Sequence, residues 1–281
     1  MSLIHLFRKC NQRCVFCSYP EEGGADESVS LKGWLKEIAA MPPGLVQVSG
    51  GEPLLAPAAE LCALLAAVKK LGRQAELQTN AIAAAGMRAE NLNKIVKALN
   101  AASGYFNVNF PASTAALDLK ITKVRGAYKK RLAGVTRLIK AGARVRLTHV
   151  ISSLNYRELP EFAAFAVKKL KGVSWTQFSY IKGIGRADGP LFLPGYAEVR
   201  PYLEKALFVC EKNGLHCEVD HIPPCFLGGF YRLNVDMVKM RDGVKGPHLE
   251  EKAHVPACRG CRFHELCPGP RKDYIAVHGT L

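Results

Sequence analysis

Long apolar runs are missing from this chain. None of its 281 residues lie in a stretch approaching the about eighteen consecutive apolar positions of a membrane-crossing helix, which argues against one. The opening segment, Met1 to Cys10, is too short and too polar for an export signal, so the cytosol is the expected compartment and no membrane partner is expected. No internal repeat or low-complexity tract stands out, and no aromatic-rich platform for single-stranded nucleic acid is visible. Acidic residues are lacking in one place: between Leu119 and Arg157 there are none. What is present argues for a folded protein, since 48% hydrophobic and 22% charged residues exclude a disordered chain and suffice for one large core, alone or with an appendage.

Cysteine is abundant for a reducing compartment, at ten residues. A disulfide scaffold would be short and exported, so the thiols point to metal or iron–sulfur binding. Three fall between residues 10 and 17 and three between 258 and 267. The chain also carries 39 basic against 24 acidic residues, a formal charge of +15. Much of the excess sits in the acid-free stretch, as Lys120, Lys123, Arg125, Lys129, Lys130, Arg131, Arg137, Lys140, Arg144, Arg146 and Arg157. That stretch reads either as a solvated helix face or as a surface for phosphates, nucleic acid or an acidic peptide.

Short strands alternate with helical stripes along the first three-quarters of the chain. Strands are predicted near Leu3 to Phe7, Leu45 to Ser49, Ala75 to Thr79, Tyr105 to Phe110, Ala143 to Ile151 and Val173 to Ile181. Between them, apolar residues recur at helical spacing, as in Leu61, Leu64, Leu65 and Val68, or Leu132, Val135, Leu138 and Ile139. The pattern predicts βαβ units around a parallel sheet: an α/β fold, a partial (β/α)6 TIM-like barrel over residues 1–215. Residues 216–281 lose the periodicity and are expected to form a small irregular appendage held by metal.

Cys10-Asn11-Gln12-Arg13-Cys14-Val15-Phe16-Cys17 is a C-x3-C-x2-C motif. Three thiolates within eight residues can hold three corners of a four-iron cubane and leave one iron open, the mark of a catalytic rather than a structural site. The spacing alone also admits a zinc site borrowing a distant fourth ligand. Gly50-Gly51-Glu52-Pro53 follows a strand, where its glycines would let backbone approach a ligand. Arg144 and Arg146 alternate with apolar residues, so both share one face of their strand; that face points into the barrel, where a cation would meet a carboxylate, or lies exposed at the strand start.

Cys10, Cys14 and Cys17, with Phe16 before the last cysteine, resemble the signature loop of the radical S-adenosylmethionine (radical SAM) superfamily. Gly50 to Pro53 resembles its glycine-rich turn, Gln78-Thr79-Asn80 its Thr-Asn element, and Val145 to Asn155 its fifth-strand region, all in the family order over residues 4–190. The resemblance implies a [4Fe–4S] cluster whose open iron chelates SAM, reductive cleavage to a 5′-deoxyadenosyl radical, and hydrogen abstraction from a substrate. It further implies that Cys10, Cys14 and Cys17 hold the catalytic cluster, Gly50 to Pro53 bind the methionine end and Phe16 lies beside the adenine. Asn80 reads as a polar contact to the cofactor or as a turn residue, and Arg146, if its strand face points inward, would bind the SAM carboxylate. Asn107 and Asn109 stand where many relatives carry a ribose-contacting serine. A reductant protein, flavodoxin or ferredoxin, is the implied partner, and the substrate is a peptide side chain, a small molecule or RNA.

Cys258-x2-Cys261-x5-Cys267, with Cys225 as the best fourth ligand, suits a [4Fe–4S] cluster or an all-thiolate zinc site. Its resemblance to the twitch or SPASM appendages of radical SAM enzymes favours a second, auxiliary [4Fe–4S] cluster. If Cys225 binds, that cluster is closed and serves electron relay or structure; if not, an open iron would take substrate. Cys62, Cys210 and Cys217 read as small core hydrophobes. Two further classes fit the thiols: a non-catalytic iron–sulfur electron carrier, which needs no glycine-rich SAM turn, and a zinc-stabilised nucleic-acid binder.

Overall fold

In a computed structural model, residues 2–20, 30–244 and 246–281 are described. They divide into two compact units, residues 1–110, 114–148 and 172–174, and residues 111–113, 149–171 and 175–281.

The first unit is a βα succession. Strands β1 (Ser2–His5), β2 (Val46–Ser49), β3 (Ala75–Thr79), β4 (Tyr105–Asn109) and the start of β5 (Val145–Ile151) pair in parallel, each with the next. The intervening helices are α1 (Leu31–Ala40), α2 (Ala58–Lys70), α3 (Ile82–Gly86), α4 (Ala89–Ala101), α5 (Ala115–Thr122) and α6 (Ala127–Lys140). The predicted stripe of α2 is the buried one, Leu61, Leu64, Leu65 and Val68, and Gly72, at φ +65°, follows its end.

Side chains alternate across the strands, and the two faces differ. Val46, Val48, Ala75, Leu77, Phe106, Val108, Val145 and Leu147 are all fully buried on one face. The other face carries Gln47, Ser49, Glu76, Gln78, Tyr105, Asn107, Asn109, Arg146 and Thr148. Parallel strands covered on both sides read as near-continuous apolar runs. The polar alternation here therefore marks a face built to hold hydrogen-bonding groups, not a second layer of core.

Helix α6 is locked onto the end of β3. A Cβ at Gly134 would collide with the Ala81 carbonyl, so only glycine lets the helix come this close. Ala81 itself takes φ +59°, and Arg137 donates to the carbonyls of Ala84, Ala85 and Met87 at 2.7–2.8 Å.

The second unit holds α7 (Leu159–Lys169), β6 (Trp175–Tyr180), α8 (Tyr196–Lys212) and β7 (Cys217–Asp220), then α9 (Val235–Arg241), α10 (Pro247–Glu250) and α11 (Lys272–His278) among 3₁₀ turns. Tyr274 of α11 stacks on Tyr196 with ring centroids 3.7 Å apart. Strand β7 pairs in parallel with β6, from Thr176 opposite Cys217 to Ser179 opposite Asp220. The sheet is open, in the order β1 to β7, one strand more than the six predicted. The extra strand, Cys217–Asp220, carries two acids among its four residues and so lacks the apolar run that marks the other short strands. Among the described residues no helix is long and apolar enough to cross a membrane.

Candidate active site

The cysteine loop leaves β1 and is tied down on two sides. On one side Glu52 N donates to Lys9 O at 3.0 Å and Gly51 N to Phe7 O. A Cβ on Gly50, at φ +131°, would lie 2.6 Å from Phe7 O, and one on Gly51 would collide with Lys9 O. The glycines thus accommodate the chain's own backbone as it leaves β1, a constraint that the expectation of close ligand approach did not include. On the other side Arg13 N and Val15 N donate to Thr122 O and Ile121 O, at 3.0 and 2.9 Å, so the loop continues the end of α5.

Within the loop, Gln12 N donates to Cys10 Sγ at 3.4 Å and Cys17 N to Cys14 O at 3.2 Å. Burial pushes the Cys10 thiol up to about 11, with the charges of Glu52 and Cys17 adding to it. Burial likewise pushes Cys14 up to about 12, with Cys10 and Cys17 adding. Cys17 disfavours ionisation of Cys10, and Cys10 and Cys17 that of Cys14, a strain that a cationic centre would relieve because metal binding takes the thiolate form. The residues therefore fit an iron–sulfur cluster.

Glu52 is fully buried and turns its carboxylate onto the end of β3. Oε1 accepts from Thr79 Oγ1 at 2.6 Å and Leu54 N at 3.0 Å, and Oε2 accepts from Asn80 N at 2.7 Å. Burial raises its pKa despite these hydrogen bonds. Asn80 carries the link onward: its Nδ2 donates to Asn11 Oδ1 at 2.7 Å and lies 3.8 Å from Cys10 Sγ, while its Oδ1 accepts from Ile82 N. Phe16 is buried at 7% exposure and Pro53 opens a 3₁₀ turn.

The polar face of the sheet converges on a residue that sequence reading passed over. Glu76 Oε1 accepts from Gln47, Gln78, Asn107 and Arg146 at 3.1, 2.9, 2.7 and 3.1 Å, and Oε2 from the Tyr105 hydroxyl at 2.5 Å. Burial alone would raise the Glu76 pKa, but Arg146 and the hydrogen bonds from Tyr105, Asn107 and Gln78 outweigh it and hold the carboxyl below its usual range. Of the two readings left open for its strand face, Arg146 follows the inward one and Arg144 the exposed one, yet the Arg146 charge is answered by Glu76 and its guanidinium sits 5.1 Å from the Tyr105 ring centroid. Asn107 is engaged at both ends, since its Oδ1 accepts from Thr148 Oγ1 at 2.6 Å. The available signal was a lone acid in the middle of a predicted strand, Ala75 to Thr79.

Not all of the basic stretch is surface. Arg131 is fully buried, ion-paired to the equally buried Asp118 of α5, with its guanidinium 5.4 Å from the Phe110 ring. Arg137 is spent on the carbonyls after β3, and Arg146 on Glu76. For these three the surface readings fail, whereas Lys120, Lys123, Arg125, Lys129, Lys130, Lys140, Arg144 and Arg157 are exposed.

In the second unit Cys225, Cys258, Cys261 and Cys267 line one cavity of about 90 Å³, together with Pro223, Pro224, His254 and Phe263. Burial pushes Cys225 up to about 11, with Cys261 and Cys258 adding, and Cys267 to about 11, with Cys225 and Cys258 adding. The four thiols line one space, and the set suits a four-thiolate cluster or zinc. His254 is turned away to Cys267 O, 2.6 Å from its Nε2, and stacks on His264. Cys210 and Cys217 are buried and hydrogen-bonded to each other, while Cys62 is only half-buried. Asp220, His221 and Asp236 present ligand atoms within 4.8 Å of one another, but the Lys252 ammonium already sits 2.6 Å from Asp236 Oδ2.

The profile of the radical SAM superfamily matches residues 4–166, more than half of the chain, and the chain belongs to that superfamily. The matched domain implies a [4Fe–4S] cluster and SAM. Among curated proteins the chain is 29% identical over 189 residues to pre-heme d1 synthase of Dinoroseobacter shibae, covering 66% of this chain and 44% of that protein. It is 25% identical over 235 residues to PqqA peptide cyclase of Gluconobacter oxydans, covering 80% and 61%. The chain thus spans less than two-thirds of either relative. The solved structure of native anSMEcpe with bound AdoMet and the Kp18Cys peptide superposes with a TM-score of 0.65 at 15% identity, over 97% of this chain and 90% of that one, a likeness of fold.

Proposed function

We propose that this chain is a radical SAM enzyme with two iron–sulfur clusters, acting on a peptide side chain or a small molecule. Cys10, Cys14 and Cys17 would hold the catalytic [4Fe–4S] cluster; Phe16, the Gly50 to Pro53 turn and Asn80 would form the SAM pocket. When bound, cluster and SAM supply a 5′-deoxyadenosyl radical that takes a hydrogen atom from substrate.

The chain's part is to hold these elements in register. Three segments far apart in sequence are knotted through Asn80, whose backbone is held by Glu52 and whose amide reaches Asn11 beside Cys10. That knot is the observation that carries the reading, because neither an electron carrier nor a zinc module needs its cysteine loop braced to a glycine-rich turn. Glu52 acts through Thr79 and Asn80, and Arg146 through Glu76, so both are positioning residues in this reading.

Cys225, Cys258, Cys261 and Cys267 would enclose the second cluster, leaving it for electron relay or structure. The likeness to PqqA peptide cyclase over 80% of this chain supports a peptide substrate, and that to pre-heme d1 synthase a small molecule. RNA loses support, because Arg131, Arg137 and Arg146 of the basic stretch are spent internally. A flavodoxin or ferredoxin would deliver the electron.

The test is anaerobic reconstitution with iron and sulfide, reduction in the presence of SAM, and assay of 5′-deoxyadenosine. Product is expected from the native chain and none from Cys14→Ala; continued formation by the variant overturns the assignment. Cys225→Ala should lower bound iron without removing the cluster of the first loop, and unchanged iron content would exclude Cys225 as a ligand.

A further inference from the structure

The cysteine loop carries one polar group that the loop itself leaves unused. Gln12 lies between Cys10 and Cys14, and its Nε2 is buried with no hydrogen-bond partner among the described residues. The remainder of the residue is engaged with the thiols on either side. Its backbone N donates to Cys10 Sγ at 3.4 Å, and its Oε1 accepts from the Cys14 thiol at 3.6 Å. An enclosed N–H without an acceptor is rare and costly, so this one asks for an explanation.

The pairing of Oε1 with Cys14 suits only a metal-free loop. Iron binding takes the thiolate, so Cys14 Sγ gives up the proton it shares with Gln12 and becomes an acceptor. A carbonyl oxygen held against a thiolate sulfur is repelled. A half-turn of the side-chain amide exchanges its two ends and sets Nε2–H on that sulfur. The carbonyl then takes the enclosed position, where lacking a partner is tolerated better than it is for an N–H. Nearby charge does little to replace such a bond. Glu52 and Cys17 act on Cys10 with negative charge, and Arg131, which favours ionised Cys14, is already ion-paired to Asp118.

We propose that Gln12 tunes the cluster of the Cys10 to Cys17 loop: its side-chain amide donates a hydrogen bond to the Cys14 thiolate and so raises the reduction potential of the cluster. The inference rests on the radical SAM reading above. Reduction adds one electron, from the flavodoxin or ferredoxin of that reading, to a centre already wrapped in thiolates; no bond forms or breaks. An N–H directed at a ligating sulfur favours the added charge, and hydrogen bonds to the sulfurs are among the features that set such potentials. Gln12 acts through Cys14 and is therefore a positioning residue. Its backbone bond to Cys10 is independent of its side chain, so a substitution isolates the amide.

The test is a redox titration of the reconstituted full-length enzyme followed by EPR, the loop's cluster being the one whose signal changes when SAM is added. Gln12→Met keeps the length of the side chain and removes the N–H. At a fixed poise its ratio of reduced to oxidised cluster should fall about tenfold, a midpoint ~59 mV lower for one electron. A midpoint equal to the native one overturns the proposal, since a residue that only fills space leaves the potential where it was. Should Gln12→Met fail to assemble its cluster, the native enzyme decides. Grown with glutamine isotopically labelled at the Nε2 nitrogen, it should show a coupling of that nitrogen to the reduced, SAM-responsive cluster in pulsed EPR. Absence of the coupling overturns the proposal. If no EPR signal of the native enzyme responds to SAM, the radical SAM reading fails, and this proposal with it.

Discussion

The Asn80 amide N–H lies 2.7 Å from Glu52 Oε2, and through this bond the turn after β2 holds the end of β3. Glu52 is fully enclosed and also satisfies Thr79 and Leu54, so its carboxylate organises three donors that water cannot reach. Glu52→Ala orphans all three, at about 1–3 kcal/mol for each buried donor left unpaired. Denaturant unfolding of the apo-protein should show a loss of about 3 kcal/mol or more, the sum over three donors, and reconstituted Glu52→Ala should bind SAM more weakly. A variant with the native unfolding midpoint would sink this account of the turn.

The two glycines before Glu52 make a sharper case. Gly51→Ala drives a methyl into Lys9 O, and backbone yields less readily than a side chain. A penalty of at least about 1–3 kcal/mol is expected, as for other overpacked sites. Displacement of the cysteine loop should accompany it, read as reduced iron uptake. Gly86→Ala is the control: its Cβ meets nothing within 4 Å, and its φ is not in the left-handed range, so stability should hold or rise slightly.

Arg131 and Asp118 stand at 0% and 1% side-chain exposure. Removing one partner strands the other's charge in the core, so Arg131→Leu should cost about 3–5 kcal/mol. Replacing both, as Asp118→Leu/Arg131→Met, should restore most of that loss. Urea melts of the three proteins check it, and a double variant no better than the single one would refute the pair as the cause.

His221 predicts a pH dependence. Burial, joined by the positive charges of Lys252, Arg271 and Lys182, outweighs the pull of Asp220 and lowers its pKa from 6.5 to about 3. The folded value is depressed, so below pH 6.5 the unfolded chain takes up a proton that the folded chain refuses. The stabilisation is present above 6.5 and drains away as pH falls towards 3. Comparing His221→Gln with the native chain across that window should show a shallower acid loss in the variant. Parallel curves would mean that His221 contributes nothing to it.

Much of the candidate site could be named from the sequence alone. The cysteine spacing, the glycine-rich turn after the second strand and the Thr79-Asn80 step are local signals, each carried by a few adjacent residues. Cys225 was legible only as the best remaining thiol, and folding places it in the cavity of Cys258, Cys261 and Cys267. Glu76 was not legible, because its meaning lies in register: Gln47 and Tyr105 face it across two neighbouring strand pairs, and Arg146 is two strands away. The same holds for Arg131, which composition placed among solvated lysines.

By itself the sequence determined the alternation of strands and helices, the clustering of thiols and the order of the motifs. These are set by neighbours along the chain, through side-chain periodicity, turn chemistry and spacing. Only the tertiary structure decided which charges are spent inside and which remain outside. A buried guanidinium demands a partner brought by another segment, as Asp118 comes to Arg131 and Glu76 to Arg146, and linear order does not name that partner.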